Sequence, residues 1–314
     1  MKSMKKLVLA GLVLLASVMV LVGCKNTVEP SGVDEIIVPE GSSGIDENVP
    51  DGSSGIDEIV PVLTFSADSE QTLTVKIQGK YTLHESLQYA VGSGEWQKLE
   101  ADKAITFGGA TGSLRMRGKS ARGMAKDETN SAYIFFSNKD VPVACDGDIR
   151  TLVDWENYST ADTSKAGFSA MFKDCTNLTS APALPATELA MRCYYGMFDG
   201  CTSLTSAPEL PATELAESCY YRMFYGCTNL TSAPALPATE LAGSCYYRMF
   251  YGCSKISSVT ILATKIEAGA SGCFTNWLYG CASKGTIFKA ADSSISEDQY
   301  NKPTGWELQV YESN

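Results

Sequence analysis

The chain has 314 residues and a formal net charge of −11, with 36 acidic against 25 basic residues. That acidity, with no polybasic tract and no zinc-finger spacing, argues against nucleic-acid binding. A single histidine leaves little material for Ser/His/Asp or Cys/His catalysis, and no phosphate-binding glycine loop, dinucleotide fingerprint or HExxH occurs.

Residues 1–23 read as a processing segment. Lys2, Lys5 and Lys6 precede Leu7–Val22, 16 residues without a charge, and the run ends in Leu21-Val22-Gly23-Cys24. This resembles a bacterial lipoprotein signal with its lipobox, which implies cleavage before Cys24 and lipid attachment at that residue. A transmembrane helix and a conventional secretory signal are the alternatives, although the apolar run is shorter than the ~20 residues a span needs. Lys25 after the lipidated cysteine favours the outer membrane over inner-membrane retention. Residues 24–61 form an acidic stalk. Nine acids stand there against Lys25 alone, and GSSGIDENVPD at 41–51 is echoed by GSSGIDEIVPV. Gly, Ser, Pro and acids without an aromatic cannot offset ordering entropy, so a disordered, self-repelling segment is expected. Its Asp-Glu pairs lack the twelve-residue pattern of a calcium loop.

Residues 62–150 read as a small antiparallel β-sandwich-like domain. Gln71–Ile77 alternates apolar with polar residues, the period of a half-buried strand. Leu87–Val91 and Glu95–Leu99 flank Gly92-Ser-Gly94 as a hairpin. Further strands are expected at Ala104–Phe107, Ser113–Arg117, Ala132–Ser137 and Val141–Ala144.

Residues 151–289 repeat every 26 residues. Cys201–Gly226 and Cys227–Gly252 are identical at 23 of 26 positions, Cys175–Gly200 is a third copy, and Cys253–Cys281 is a degenerate fourth. Such a period predicts a solenoid. Cys219, Tyr220, Met223, Phe224 and Cys227 fall on one helical face, with Gly226 placed to end the turn in a left-handed conformation. Leu230–Pro237 is too proline-rich for helix and reads as an extended arc, so any parallel sheet there should be short and interrupted. Ser258–Leu262 in the fourth copy, lacking the prolines, is a better strand. Residues 290–314 close the chain as a cap. The expected class is therefore α+β, a small antiparallel β-sandwich followed by a short leucine-rich-repeat solenoid of strand-like arcs and short helices.

The run Met223-Phe-Tyr-Gly-Cys-Thr-Asn-Leu-Thr-Ser-Ala-Pro-Ala-Leu-Pro-Ala-Thr239 resembles the repeat of BspA-like leucine-rich-repeat surface proteins of host-associated bacteria. The match recurs at 198–211 and at 172–185, where Asp174 replaces the glycine. Trp277-Leu-Tyr-Gly280, Gly285–Lys289 and Pro303–Trp306 are similar to the family's end, and Gly147–Asp154 to its junction before the repeats. The repeat is longer than the family's commoner form and carries an added alanine-proline pair. The resemblance implies a surface-exposed lipoprotein that acts non-catalytically in protein–protein interaction, adhering to host or other bacterial proteins. A carbohydrate-binding or structural envelope role through the β-domain, where Trp96 lies, is the alternative.

The partners expected are thus the membrane through a lipid anchor, a protein such as one of the host extracellular matrix, and as a second option a glycan. No cofactor, metal or catalytic residue is expected. Ten cysteines follow Cys24, nine of them at two repeat positions eight residues apart. On a helix that is ~12 Å of rise, and stacked helices lie ~8–10 Å apart, both too far for a disulfide. Free, buried thiols are expected, with a bridge between neighbouring coils as the alternative. Paired tyrosines recur in register, one of each pair expected in the core and the other near solvent. Tyr195, Tyr221 and Tyr247 are the candidate recognition stripe, against a plain packing role. Glu188, Glu214 and Glu240 form a file expected to point outwards, while Gly196 breaks the basic column of Arg222 and Arg248.

Overall fold

A computed structural model describes residues 60–312. The signal segment, Cys24 and most of the acidic stalk lie outside the described residues.

The first part of the chain forms eight short strands: β1 Leu63–Ser66, β2 Gln71–Gln78, β3 Gln88–Val91, β4 Gln97–Lys98, β5 Ala104–Phe107, β6 Leu114–Arg117, β7 Ser131–Phe136 and β8 Ala144–Asp146. They make two antiparallel sheets, ordered β4-β3-β6-β1-β8 and β5-β2-β7. The period-two patterns explain most of them, since Leu73 and Val75 of β2, and Leu114 and Met116 of β6, are buried. Phe65 of one sheet meets Phe136 of the other edge-on, with ring centroids 5.9 Å apart. The expected hairpin over Gly92 forms, with Gln88 opposite Lys98. Two details differ from expectation. β1 carries no independent signal in so short a segment, and β8 starts at Ala144 because Val143 instead bridges in parallel to Leu178 of the first repeat.

The repeats overturn the α+β expectation and the helix-bearing leucine-rich-repeat solenoid with it. Among the described residues there is no α-helix, only short three-ten turns and several small sheets. The reason lies in the spacing of the apolar pairs, which recur every four residues and not every 3.6. Residues 218–227 are a chain of overlapping β-turns. The amides of Cys219, Tyr221, Met223, Tyr225 and Cys227 each donate to the carbonyl three residues back, at 3.1–3.2 Å. The amides between them, of Ser218, Tyr220, Arg222, Phe224 and Gly226, donate to Gly243, Cys245, Tyr247, Met249 and Tyr251 of the next copy at 2.7–3.1 Å. A helix would keep all of these bonds within itself. Here every second amide ties one copy to the next.

This alternation needs a left-handed residue every four positions, at the third position of every second turn, as a type II turn does. Ser218, Arg222 and Gly226 have φ of 57°, 55° and 71°, and the neighbouring copies repeat the pattern at Ser244, Arg248 and Gly252. Gly226 is left-handed as expected, but as one of a series and not as the end of a helix. Side chains follow the same rhythm of two buried and two half-buried residues.

Stacked amide bonds bring equivalent residues close. Phe172, Phe198, Phe224 and Phe250 form an internal column with centroid steps of 5.3, 5.6 and 5.6 Å and nearly parallel planes. Such offset stacking contributes about 0.5–1.5 kcal/mol per pair beyond burial. The proline arcs ladder only in fragments, by a bridge between Glu188 and Glu214 and by β9 Glu240–Leu241 beside β11 Lys265–Ile266. Where the prolines are absent, β10 Ser258–Ile261, β12 Gly285–Lys289 and β13 Trp306–Val310 join as a parallel sheet.

Both ends of the stack are covered. At the first copy, Ile134 of β7 donates to Met171 at 2.8 Å and the Lys139 ammonium to the Asp174 carbonyl at 3.0 Å. At the last, the Asn276 amide reaches Asn301 Oδ1 at 3.2 Å and the Trp277 indole the Tyr300 carbonyl at 2.7 Å. One hydrophobic core runs unbroken from Leu63 to Trp306.

A methyl group built on Gly226 meets nothing within 4 Å. Gly226→Ala therefore isolates the cost of a side chain at positive φ, and urea denaturation should show a loss of about 1–2 kcal/mol. Met223→Ala, which empties a fully buried site in the same turn, should lose about 2–5 kcal/mol. A neutral Gly226→Ala would contradict the turn chain.

Candidate functional site

The turn chain decides which tyrosines reach solvent. Tyr194, Tyr220 and Tyr246 occupy buried positions, while Tyr195, Tyr221 and Tyr247 occupy the half-buried pair that follows. The structure brings the three together as a ladder, with centroids 4.5 and 4.4 Å apart and planes within 6°. Burial, and then the neighbouring tyrosines, push the Tyr221 hydroxyl up to about 12, so the middle rung stays neutral at physiological pH.

Four residues further on lies a second ladder that sequence reasoning missed. Tyr225, Tyr251 and Tyr279 stack at 4.7 and 4.9 Å, and Tyr279 is 59% exposed. Its signal was present, since Tyr225 and Tyr251 occupy equivalent positions of the two closest copies. The four-residue turn period puts the two sets on one face, as the i, i+4 spacing of a helix would also have done. Arg222 stacks 3.9 Å from the Tyr225 ring and pairs with Asp199 at 2.9 Å. Arg248 lies between the ladders, 5.2 Å from Tyr247 and 5.7 Å from Tyr251. The basic column is thus interrupted, by Gly196 in one copy and by the Asp199 ion pair in the next. Glu188, Glu214 and Glu240 are exposed, as expected, and Glu240 pairs with Lys265 at 2.8 Å.

The proline arcs carry a shallower feature. Adjoining apolar grooves of about 380 and 360 Å³ share Pro208, Glu209 and Pro211 along their length.

The cysteines are structural. All ten from Cys145 to Cys281 are free. Distance does not keep them apart as helical spacing would, because turns stacked at strand-like spacing stand close enough for a bridge. The thiols have other partners. Cys201, Cys227, Cys253 and Cys281 each donate to the carbonyl of the phenylalanine 29 or 31 residues back, at 3.0–3.2 Å. Burial pushes the Cys175 and Cys219 thiols up to about 12. Cys245 and Cys273 share a hydrogen bond that lowers the second thiol, whereas burial raises the first.

Nothing assembles around the lone histidine. His84 is exposed in a turn, its Nδ1 2.7 Å from the hydroxyl of Ser86, which also accepts the Lys119 amide. Among the described residues no group of three or more His, Cys, Asp or Glu could hold a metal. No helix among them is long and apolar enough to cross a membrane. No protein-family model, curated protein or solved structure matches the chain.

The raised thiols set a pH dependence. A thiol whose folded pKa exceeds the unfolded value, ordinarily about 8.5, favours the fold fully below that value. The contribution is lost as pH climbs through the folded value, so the urea midpoint should hold to about pH 8 and fall steadily above pH 9. Iodoacetamide at pH 8 should label these ten buried or half-buried thiols slowly on the folded protein, and all ten readily in urea.

Proposed function

We propose that the chain is a surface-exposed, lipid-anchored bacterial protein that binds a protein partner without catalysis, as its resemblance to BspA-like surface proteins implies. Adhesion to host or other bacterial proteins is the task this reading assigns. The observation that supports it is the pair of tyrosine ladders, six rings in two parallel stacks on one face of the repeats. Tyrosine offers large contact area with few rotamers to freeze, which is why it recurs at the energetic centres of interfaces. Stacking freezes those rotamers before any partner arrives, and neutral hydroxyls leave a rung able to donate or accept. A broad face of this kind suits a folded protein surface better than a small molecule, which is usually held in a concave site. Lipid attachment at Cys24 and the acidic stalk to residue 61 would hold that face away from the membrane.

Two measurements bear on this reading. Protease treatment of intact cells should remove the protein as fully as treatment of lysed cells, and survival on intact cells would refute display. In binding to a panel of extracellular-matrix proteins, Tyr221→Ser with Tyr251→Ser should weaken the interaction at least 10-fold, each ring accounting for about 1 kcal/mol or more. Unchanged binding by that variant would move the site elsewhere.

A further inference from the structure

The outer face of the five-stranded sheet carries a cluster that the tyrosine ladders do not involve. Arg115 and Arg117 alternate along β6 with buried Leu114 and Met116, so both guanidinium groups leave the face that points away from the core. Strand register sets Gln88 beside Arg117 and exposed Lys98 beside Gln88, which puts three cations on this face. The Arg117 guanidinium is sandwiched between two indoles, 4.0 Å from the Trp96 centroid and 3.9 Å from that of Trp155. Arg115 lies 5.2 Å from Trp96. Both tryptophans remain partly exposed.

The charge accounting is unusual for so acidic a chain. Arg150, Arg192 and Arg222 are each matched by a carboxylate, of Asp148, Glu128 and Asp199. Among the described residues Arg115 and Arg117 have no such pair. Glu156, whose charge reaches Arg117, is itself held by Lys119 at 2.5 Å. Arg117 Nε donates to Gln88 Oε1 at 3.0 Å and Arg115 gives one terminal nitrogen to the Gly92 carbonyl at 2.8 Å. Arg115 Nε is buried and has no partner. Partial burial lowers the Arg117 pKa and Arg115 lowers it further, with Glu156 opposing. Two adjacent, partly buried cations with no ion pair of their own are a standing cost that an arriving anion would relieve.

We propose that Arg115, Arg117, Trp96 and Trp155 bind an anionic saccharide, the guanidinium groups taking its carboxylate or sulfate and the indoles its ring face. A guanidinium held flat between indoles keeps its fork of donors in one plane, the geometry a carboxylate or sulfate accepts in pairs. The two indoles favour a sugar over an acidic peptide, because the C–H face of a pyranose packs on an aromatic plane and a glutamate side chain offers no such face. Lys98, two strands away across β3, suits a second anionic unit along an oligosaccharide.

The test is calorimetric titration of the full chain with oligogalacturonate for carboxylated sugars, dextran sulfate for sulfated ones, neutral dextran, and poly-glutamate. Binding to at least one anionic sugar should weaken with added salt, and neutral dextran should not bind. Whichever anionic sugar binds identifies the charged group. Arg115→Gln with Arg117→Gln should weaken binding at least 10-fold, and Arg117→Lys, which keeps the charge and loses the fork, several-fold. Arg122→Gln, an exposed arginine outside the cluster, should change it less than 2-fold, and Tyr221→Ser with Tyr251→Ser not at all. Thermal melting of each variant separates loss of binding from loss of fold, and Arg117→Lys carries the test if the double variant unfolds. Equal binding of poly-glutamate, equal loss with Arg122→Gln, or no anionic sugar bound at millimolar concentration would each overturn the proposal.

Discussion

The division of backbone amides between two destinations underlies everything else in the repeats. Every second N–H closes a turn within its own copy, and every other one reaches the carbonyl of the next. A copy taken alone would leave half its turn amides unpaired, so no copy is a stable unit and each is completed by its successor. The same bonds bring phenylalanines, buried tyrosines and half-buried tyrosines into separate columns with centroid steps of 4.4–6.0 Å. Aromatic stacking is here a result of backbone pairing, and it reinforces the spacing that pairing imposes.

Such a stack has two ends at which amides and carbonyls would be unmatched, an open template for association. The two-sheet part of the chain covers one end, with β7 and Lys139 on the first copy. The tail covers the other through Tyr300 and Asn301. These flanking segments thereby take up part of the hydrogen bonding at the ends of the stack, and the continuous core from Leu63 to Trp306 fits that role. The five-stranded sheet carries the arginine-tryptophan cluster on its outer face. The protein thus carries two separate candidate surfaces, one built of stacked tyrosines and the other of arginines and tryptophans.

The cysteines show how one physical argument can reach a sound conclusion for the wrong reason. Helical spacing predicted thiols too distant to pair. In fact the turns stand at strand-like separation, and what occupies the thiols is a sulfur-to-carbonyl bond repeated from copy to copy. A small, apolar side chain with one weak donor suits that buried place, where serine would be harder to desolvate.

The amino-acid sequence alone determines the repeat, its boundaries, the strands with clean alternation such as β2 and β5, and the division of each tyrosine pair into an inner and an outer ring. These follow from local patterns of burial, which need no knowledge of what lies opposite. Whether an apolar pair at every fourth residue becomes a helix or a chain of turns depends on where the intervening amides find acceptors, and those acceptors are 25 or more residues away. Only the tertiary structure decided that question. It thereby also decided the stacking of both tyrosine ladders, since rings of successive copies stand 4.4–4.9 Å apart only where amide bonds join the copies directly. The stacking of Arg117 between Trp96 and Trp155 is equally non-local, because strand register and a distant loop bring together three residues from separate parts of the chain.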